Sequence, residues 1–160
     1  MNDAHIHLLV NHVPILFPIA GVIVLIAGFV FRSEAVKRTA FMLFMFGAIA
    51  SISSMVSGEG AEEAIEKLNG IQENMIEEHE EKAEVFAILS YILGLISALG
   101  LWASLKQKSM ANILSIVVLL YAFVVIFFGS QTGTSGGEIR HSEIRSDTPQ
   151  PANVDKEHHD

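Results

Sequence analysis

The sequence predicts an all-α integral membrane protein, a four-helix bundle with both termini on the outer (periplasmic) side. Three observations carry that reading. Four long runs lack Asp, Glu, Lys and Arg altogether. The two short links between those runs are basic. The chain as a whole is 51% hydrophobic with a mean hydropathy of +0.44, figures that suit lipid rather than water.

The charge-free runs are 13–31, 39–58, 85–105 and 109–137, the apolar part of the last being 110–129. Each apolar part is about 20 residues, enough for a helix to cross a hydrocarbon core of ~30 Å, and a helix satisfies its own backbone groups there. The first run has no Lys or Arg before it and no small-residue cleavage pattern after it, so it reads as a span and not as a cleaved signal. Pro14 and Pro18 leave two starts open for that helix: near Pro14, with the proline in the first turn, or near Asp3, with a kink.

Orientation follows from the links. Arg32, Lys37 and Arg38 lie between spans one and two, and Lys106 and Lys108 between spans three and four, which predicts that both links are cytoplasmic. The outer face then holds the N-terminus, the stretch 59–82 and the C-terminal segment. Gly58-Glu59-Gly60 opens an acidic stretch read as a short amphipathic outer helix over 59–69, stopped by Asn69-Gly70. A second helical pattern begins near Ile71 and continues unbroken into span three. Past Gly129, the glycines at 133, 136 and 137 predict a turn-rich segment, and residues 142–160 a disordered polar tail beyond a membrane domain of 1–141.

Small residues predict how the helices meet. Gly47, Ser51, Ser54 and Gly58 share a face of span two, and Ser90, Gly94, Ser97 and Gly100 a face of span three, which suits close packing in lipid or a polar cleft. No charged residue lies deep in a span, which argues against an ion-coupled transporter or proton pump. Ten basic residues against eighteen acidic ones give a net charge of −8, and no basic stripe supports nucleic-acid binding. Without cysteine there is no thiolate ligand or nucleophile, so any metal or cofactor must rest on His, Asp, Glu or Met.

None of the seven histidines falls in a cytoplasmic link. His5, His7 and His12 precede span one, His79 precedes span three, His141 follows span four, and His158 and His159 lie in the tail. His79 shares a helical face with Ala83 and Phe86, which turns it toward the bundle. Imidazole is a common ligand for heme iron and transition metals, with carboxylates as co-ligands or supporting partners. Two cofactor readings follow. A b-type heme would be held by histidines among His7, His12, His79 and His141, and a divalent metal by His12, His79 and His141 with Glu59 and Glu62. The histidines also suit helix caps at the headgroup level, and no Glu-x-x-His pair of a di-iron bundle occurs.

Four blocks stand in order around the spans: His7-Leu-Leu-Val-Asn-His12-Val-Pro14-Ile, Ser57-Gly-Glu59-Gly-Ala-Glu62-Glu63, Glu78-His79-Glu80 and Gly136-Gly-Glu-Ile-Arg-His141. In these blocks, over Ala4 to His141, the chain resembles the small four-helix bacterial membrane proteins catalogued as domain of unknown function 2231. The resemblance implies a multi-pass protein of the bacterial cytoplasmic (inner) membrane and singles out His7, His12, His79 and His141. Many members have His followed by an aromatic residue and Pro where this chain has Asn11-His12-Val-Pro14, and Arg140-His141-Ser is more polar than the usual ending. The leading functional expectation is a redox or electron-transfer module with an outer-surface His/Glu site, working with a membrane redox partner or as a homo-oligomer. The alternative is a structural or accessory subunit of a larger membrane complex with no cofactor of its own. No serine-hydrolase spacing, phosphate-cradling loop or zincin pattern supports an enzyme.

Overall fold

The computed structural model describes residues 3–66 and 73–145, and these are helical almost throughout. A short helix α1 (Asp3–Val10) is followed by α2 (Val13–Val30), α3 (Glu34–Glu66), α4 (Glu73–Leu105) and α5 (Ala111–Arg140), then one 3₁₀ turn at Ser142–Ile144. Four helical segments, His5–Val30, Glu34–Gly58, Glu73–Leu105 and Ala111–Ile139, are long and apolar enough to cross a membrane.

The proline question resolves into a third arrangement. Helix forms from Asp3, but the chain turns at Asn11-His12 and restarts at Val13, with Pro14 in the first turn of α2, where a missing N–H costs nothing. Two further expectations are corrected. The acidic stretch after Gly58 is not a separate outer helix, because α3 runs through Gly58-Glu59-Gly60 to Glu66 without a break. Glycine inside a helix costs only about 1 kcal/mol, and here Ala61 is buried while Gly58 lies against the His7 ring. Nor are Gly133, Gly136 and Gly137 in a turn-rich segment, since α5 continues to Arg140. Those glycines mark close packing: a Cβ at position 136 would stand 2.9 Å from the His79 ring. Arg145 ends α5, its guanidinium donating to the carbonyls of Glu138 (2.7 Å) and Ile139 (3.0 Å). The Asn69-Gly70 stop and the tail from Ser146, with His158 and His159, lie outside the described residues.

Helices α2 to α5 pack as sequential neighbours, α5 closes the ring against α2, and α1 lies on α3. Leu25, Phe41, Phe44, Leu93, Val118 and Val125 are fully buried at the centre. Rings and methyls enter notches left by glycine: Phe44 against Gly21, Phe41 against Gly100, Phe86 against Gly129, and Ala48 against Gly94. The outer surface is apolar too, with Leu16, Ile23 and Val30 in line on α2 and Ile113, Leu120 and Phe127 in line on α5. A surface of that kind suits lipid contact.

At the end of the bundle that carries the two short links, α3, α4 and α5 are tied by polar bonds. Lys37 is buried and donates to Glu34 Oε1 and Asn112 Oδ1, both at 2.8 Å, beneath the Phe29 ring. Arg38 donates through Nε and Nη2 to the hydroxyl and carbonyl of Ser104, both at 2.9 Å. Both links follow the same helix-ending geometry. Arg32 and Gln107 each take a positive φ of 51°, and the next amide reaches back to the carbonyl of Gly28 (3.0 Å) or Ala103 (2.9 Å).

Two outcomes follow. Gly94→Leu drives a side chain into Ala48, whose Cβ already lies 2.6 Å from where a Cβ at 94 would stand. Unfolding in detergent should show a loss of about 1–3 kcal/mol. Gln107→Gly relieves the left-handed backbone conformation and should raise stability by roughly 0.5–1 kcal/mol in the same measurement.

Candidate functional site

The end of the bundle opposite the basic links carries the histidines. There α3, α4 and α5 continue past the charge-free runs, and α1 folds down against α3. His7, on the last turn of α1, is half-buried. Its Nδ1 is 3.2 Å from the carbonyl of Ser54 and 3.2 Å from the Ser57 hydroxyl, both on α3. The Ser57 O–H donates to that same carbonyl, at 3.1 Å. A carbonyl only accepts, so Nδ1 of His7 carries its proton.

His79, on α4, has the same arrangement with a different partner. Its Nδ1 is 3.0 Å from the hydroxyl of Ser135 on α5. Ser135 donates its own proton to the Thr132 carbonyl, at 3.1 Å, so its oxygen accepts from His79. Thr132 adds a second tie between these helices, donating to the Lys82 carbonyl at 3.0 Å. The His79 ring lies over Gly136, where any Cβ would collide with it. Both imidazoles are therefore held through Nδ1–H, and in the neutral ring each Nε2 keeps its lone pair.

His7 and His79 both precede the charge-free runs 13–31 and 85–105. Burial lowers the His79 pKa from its ordinary 6.5, the positive charge of a protonated His7 and of Lys82 lowers it further, and the Thr132 carbonyl opposes. Burial likewise lowers that of His7, against the Ser54 carbonyl and with help from His12. One turn after His7, the Asn11 Oδ1 is buried and makes no hydrogen bond among the described residues.

The remaining candidate histidines are more exposed than this pair. His12 is exposed at the start of α2 and makes no side-chain cap bond. His141 is exposed beyond α5 and binds Glu143 Oε1 at 2.8 Å. Among the described residues no three His, Asp or Glu side chains gather as a metal set, so His12, His79 and His141 do not form one. The side chains of Glu59 and Glu62 lie outside the described residues. Sequence reasoning singled out His7 and His79 but missed Ser135 and Thr132, whose partners on α4 are distant in the chain. Compared with protein-family models, curated proteins and solved structures, the chain matches none.

The folded chain prefers both imidazoles neutral, which fixes the sign of a pH effect. Above pH 6.5 folded and unfolded forms are both neutral and the stabilisation is complete. As pH falls through 6.5 the unfolded chain takes up protons first, and stability declines until the folded pKa values are passed. Thermal unfolding in detergent should therefore give a lower midpoint at pH 5.5 than at pH 7.5, and the difference should shrink in the double variant His7→Gln, His79→Gln.

Proposed function

We propose that this chain is a multi-pass protein of the bacterial cytoplasmic membrane, with both termini outside, of the kind that the resemblance to domain of unknown function 2231 implies. Its function is redox or electron transfer at the outer surface, centred on a transition metal ligated by His7 and His79. The metal is carried either as the ion or as the iron of a b-type heme.

One observation carries the reading: two imidazoles from different helices, each held at Nδ1 by a carbonyl or hydroxyl, which in the neutral ring leaves Nε2 with its lone pair. Metal-bound histidine has this form, one nitrogen donating to a carbonyl or hydroxyl and the other binding the metal. Depressed pKa values favour the same state, since a protonated imidazole cannot ligate. The orphaned Asn11 Oδ1 fits a third, oxygen donor on the His7 side. The donor set of nitrogen with at most one neutral oxygen suits iron, copper or zinc rather than calcium or magnesium. When bound, an iron or copper centre would supply a one-electron couple. The protein's part is to hold two ligands in one protonation state at a surface from which α3 and α4 project.

Absorbance and elemental analysis of detergent-purified protein test this reading. A Soret band, or metal near one equivalent per chain, is the expected result, lost in His79→Ala and in His7→Ala while each variant still accumulates in the membrane. Ser135→Ala should retain the group but weaken it roughly tenfold or more by freeing the ring. Protein devoid of both heme and metal after expression with iron, copper and zinc supplied would refute the assignment.

A further inference from the structure

The opposite end of the bundle carries a second surface, independent of the histidines. The two links and the helix ends beside them, 31–38 and 105–111, hold five cations, Arg32, Lys37, Arg38, Lys106 and Lys108, against the single carboxylate of Glu34. The polar network absorbs part of that charge. Glu34 is bonded to Lys37 and Ser104, and Arg38 to Ser104. Arg32, Lys106 and Lys108 are exposed, and among the described residues no hydrogen bond or ion pair engages their side chains. A cluster of cations with its one carboxylate already taken selects an anion.

What lies around the cations decides what kind of anion. Val30, Phe31, Trp102, Leu105 and Met110 are exposed at the same end. Trp102 precedes Lys106 by one turn of α4, so ring and ammonium share a face. Phe31 adjoins Arg32 directly. Arg32 and Lys106 therefore each stand beside an exposed apolar residue, a pairing that matches a molecule with an anionic head and hydrocarbon chains and that inorganic phosphate would leave half unused.

From these observations we infer that this end of the bundle, which carries Arg32, Lys106 and Lys108 with Phe31 and Trp102, binds the phosphodiester headgroups of anionic phospholipids, their acyl chains lying against the exposed apolar residues. The inference rests on the membrane reading of the four helices and not on the metal site.

Trp102 is the chain's one tryptophan and stands on the surface in question, so it serves as the reporter. The full chain is reconstituted in phosphatidylcholine vesicles containing graded fractions of brominated phosphatidylglycerol or, separately, brominated phosphatidylcholine, and quenching of Trp102 is followed. Phosphatidylglycerol should reach half-maximal quenching at a several-fold lower mole fraction than phosphatidylcholine. Replacing Arg32, Lys106 and Lys108 by Gln should remove the preference, each step weakening it by about fivefold at most. Inorganic phosphate at 10 mM, a concentration of about that order being ample for a simple anion site, should leave the phosphatidylglycerol curve unchanged.

Equal half-points for the two lipids, or a preference that survives the triple variant, would overturn the inference. Displacement by phosphate would identify an anion site with no lipid selectivity and overturn it as well. Absence of quenching by either lipid would remove the membrane reading and this inference together.

Discussion

Helix-to-helix approach is the constraint from which the other features follow. Among four helices that are apolar on their outer faces as well as their inner ones, burial of hydrocarbon supplies little preference for one arrangement over another, and close van der Waals fit must supply it. The fit is made by a repeated device, a ring of one helix set into a glycine notch of the next: Phe44 on Gly21, Phe41 on Gly100, Phe86 on Gly129. His79 on Gly136 is the same device continued past the apolar run. The candidate site is thus the terminal layer of the packing that builds the bundle, and a titratable ring stands there in place of phenyl.

Notches fix distance better than they fix rotation, and the polar bonds at the two ends supply what is missing. At the basic end Arg38 binds α3 to α4 and Lys37 binds α3 to α5. At the histidine end His79 and Thr132 bind α4 to α5, and His7 binds α1 to α3. A hydrogen bond near an apolar phase is hard to give up, because the alternative is an unpaired group with little water to accept it. Directional contacts lie where charge and water are near, and the middle of the bundle is held mainly by shape.

The four apolar runs were legible in the sequence because their determinants are local: length, absence of charge, and small residues at helical spacing on spans two and three. The inward direction of His79 was legible for the same reason, through its register with Ala83 and Phe86. Glycine was the ambiguous letter. At 133, 136 and 137 it reads as a turn when the partner is unseen, and the ring that requires Gly136 to be small belongs to a helix whose contact with Ser135 spans 56 positions. The choice among His5, His7 and His12 depended on the break at Asn11-His12. A continuous helix would place His5 and His12 on one face. The turn instead frees α1 to lay His7 on Ser54 and Ser57 while His12 stays exposed.

That break also gives the site its geometry. His7 and His79 belong to different segments, α1 and α4, and each ring is anchored to a third party, α3 or α5. Each anchor uses Nδ1, so the remaining nitrogens are the only ring atoms through which α1 and α4 could be connected. Burial disfavours the protonated form of both rings, and the charge of a protonated His7 disfavours that of His79, which favours the lone pairs that such a connection would need. A metal accepting both nitrogens would convert a like-charge conflict into a shared bond and would dock α1 onto the bundle through α4 as well as α3. Site and fold are then coupled in one direction above all: the bundle has its notches and end bonds without a bound group, whereas the seating of α1 is where a bound group would add most to stability.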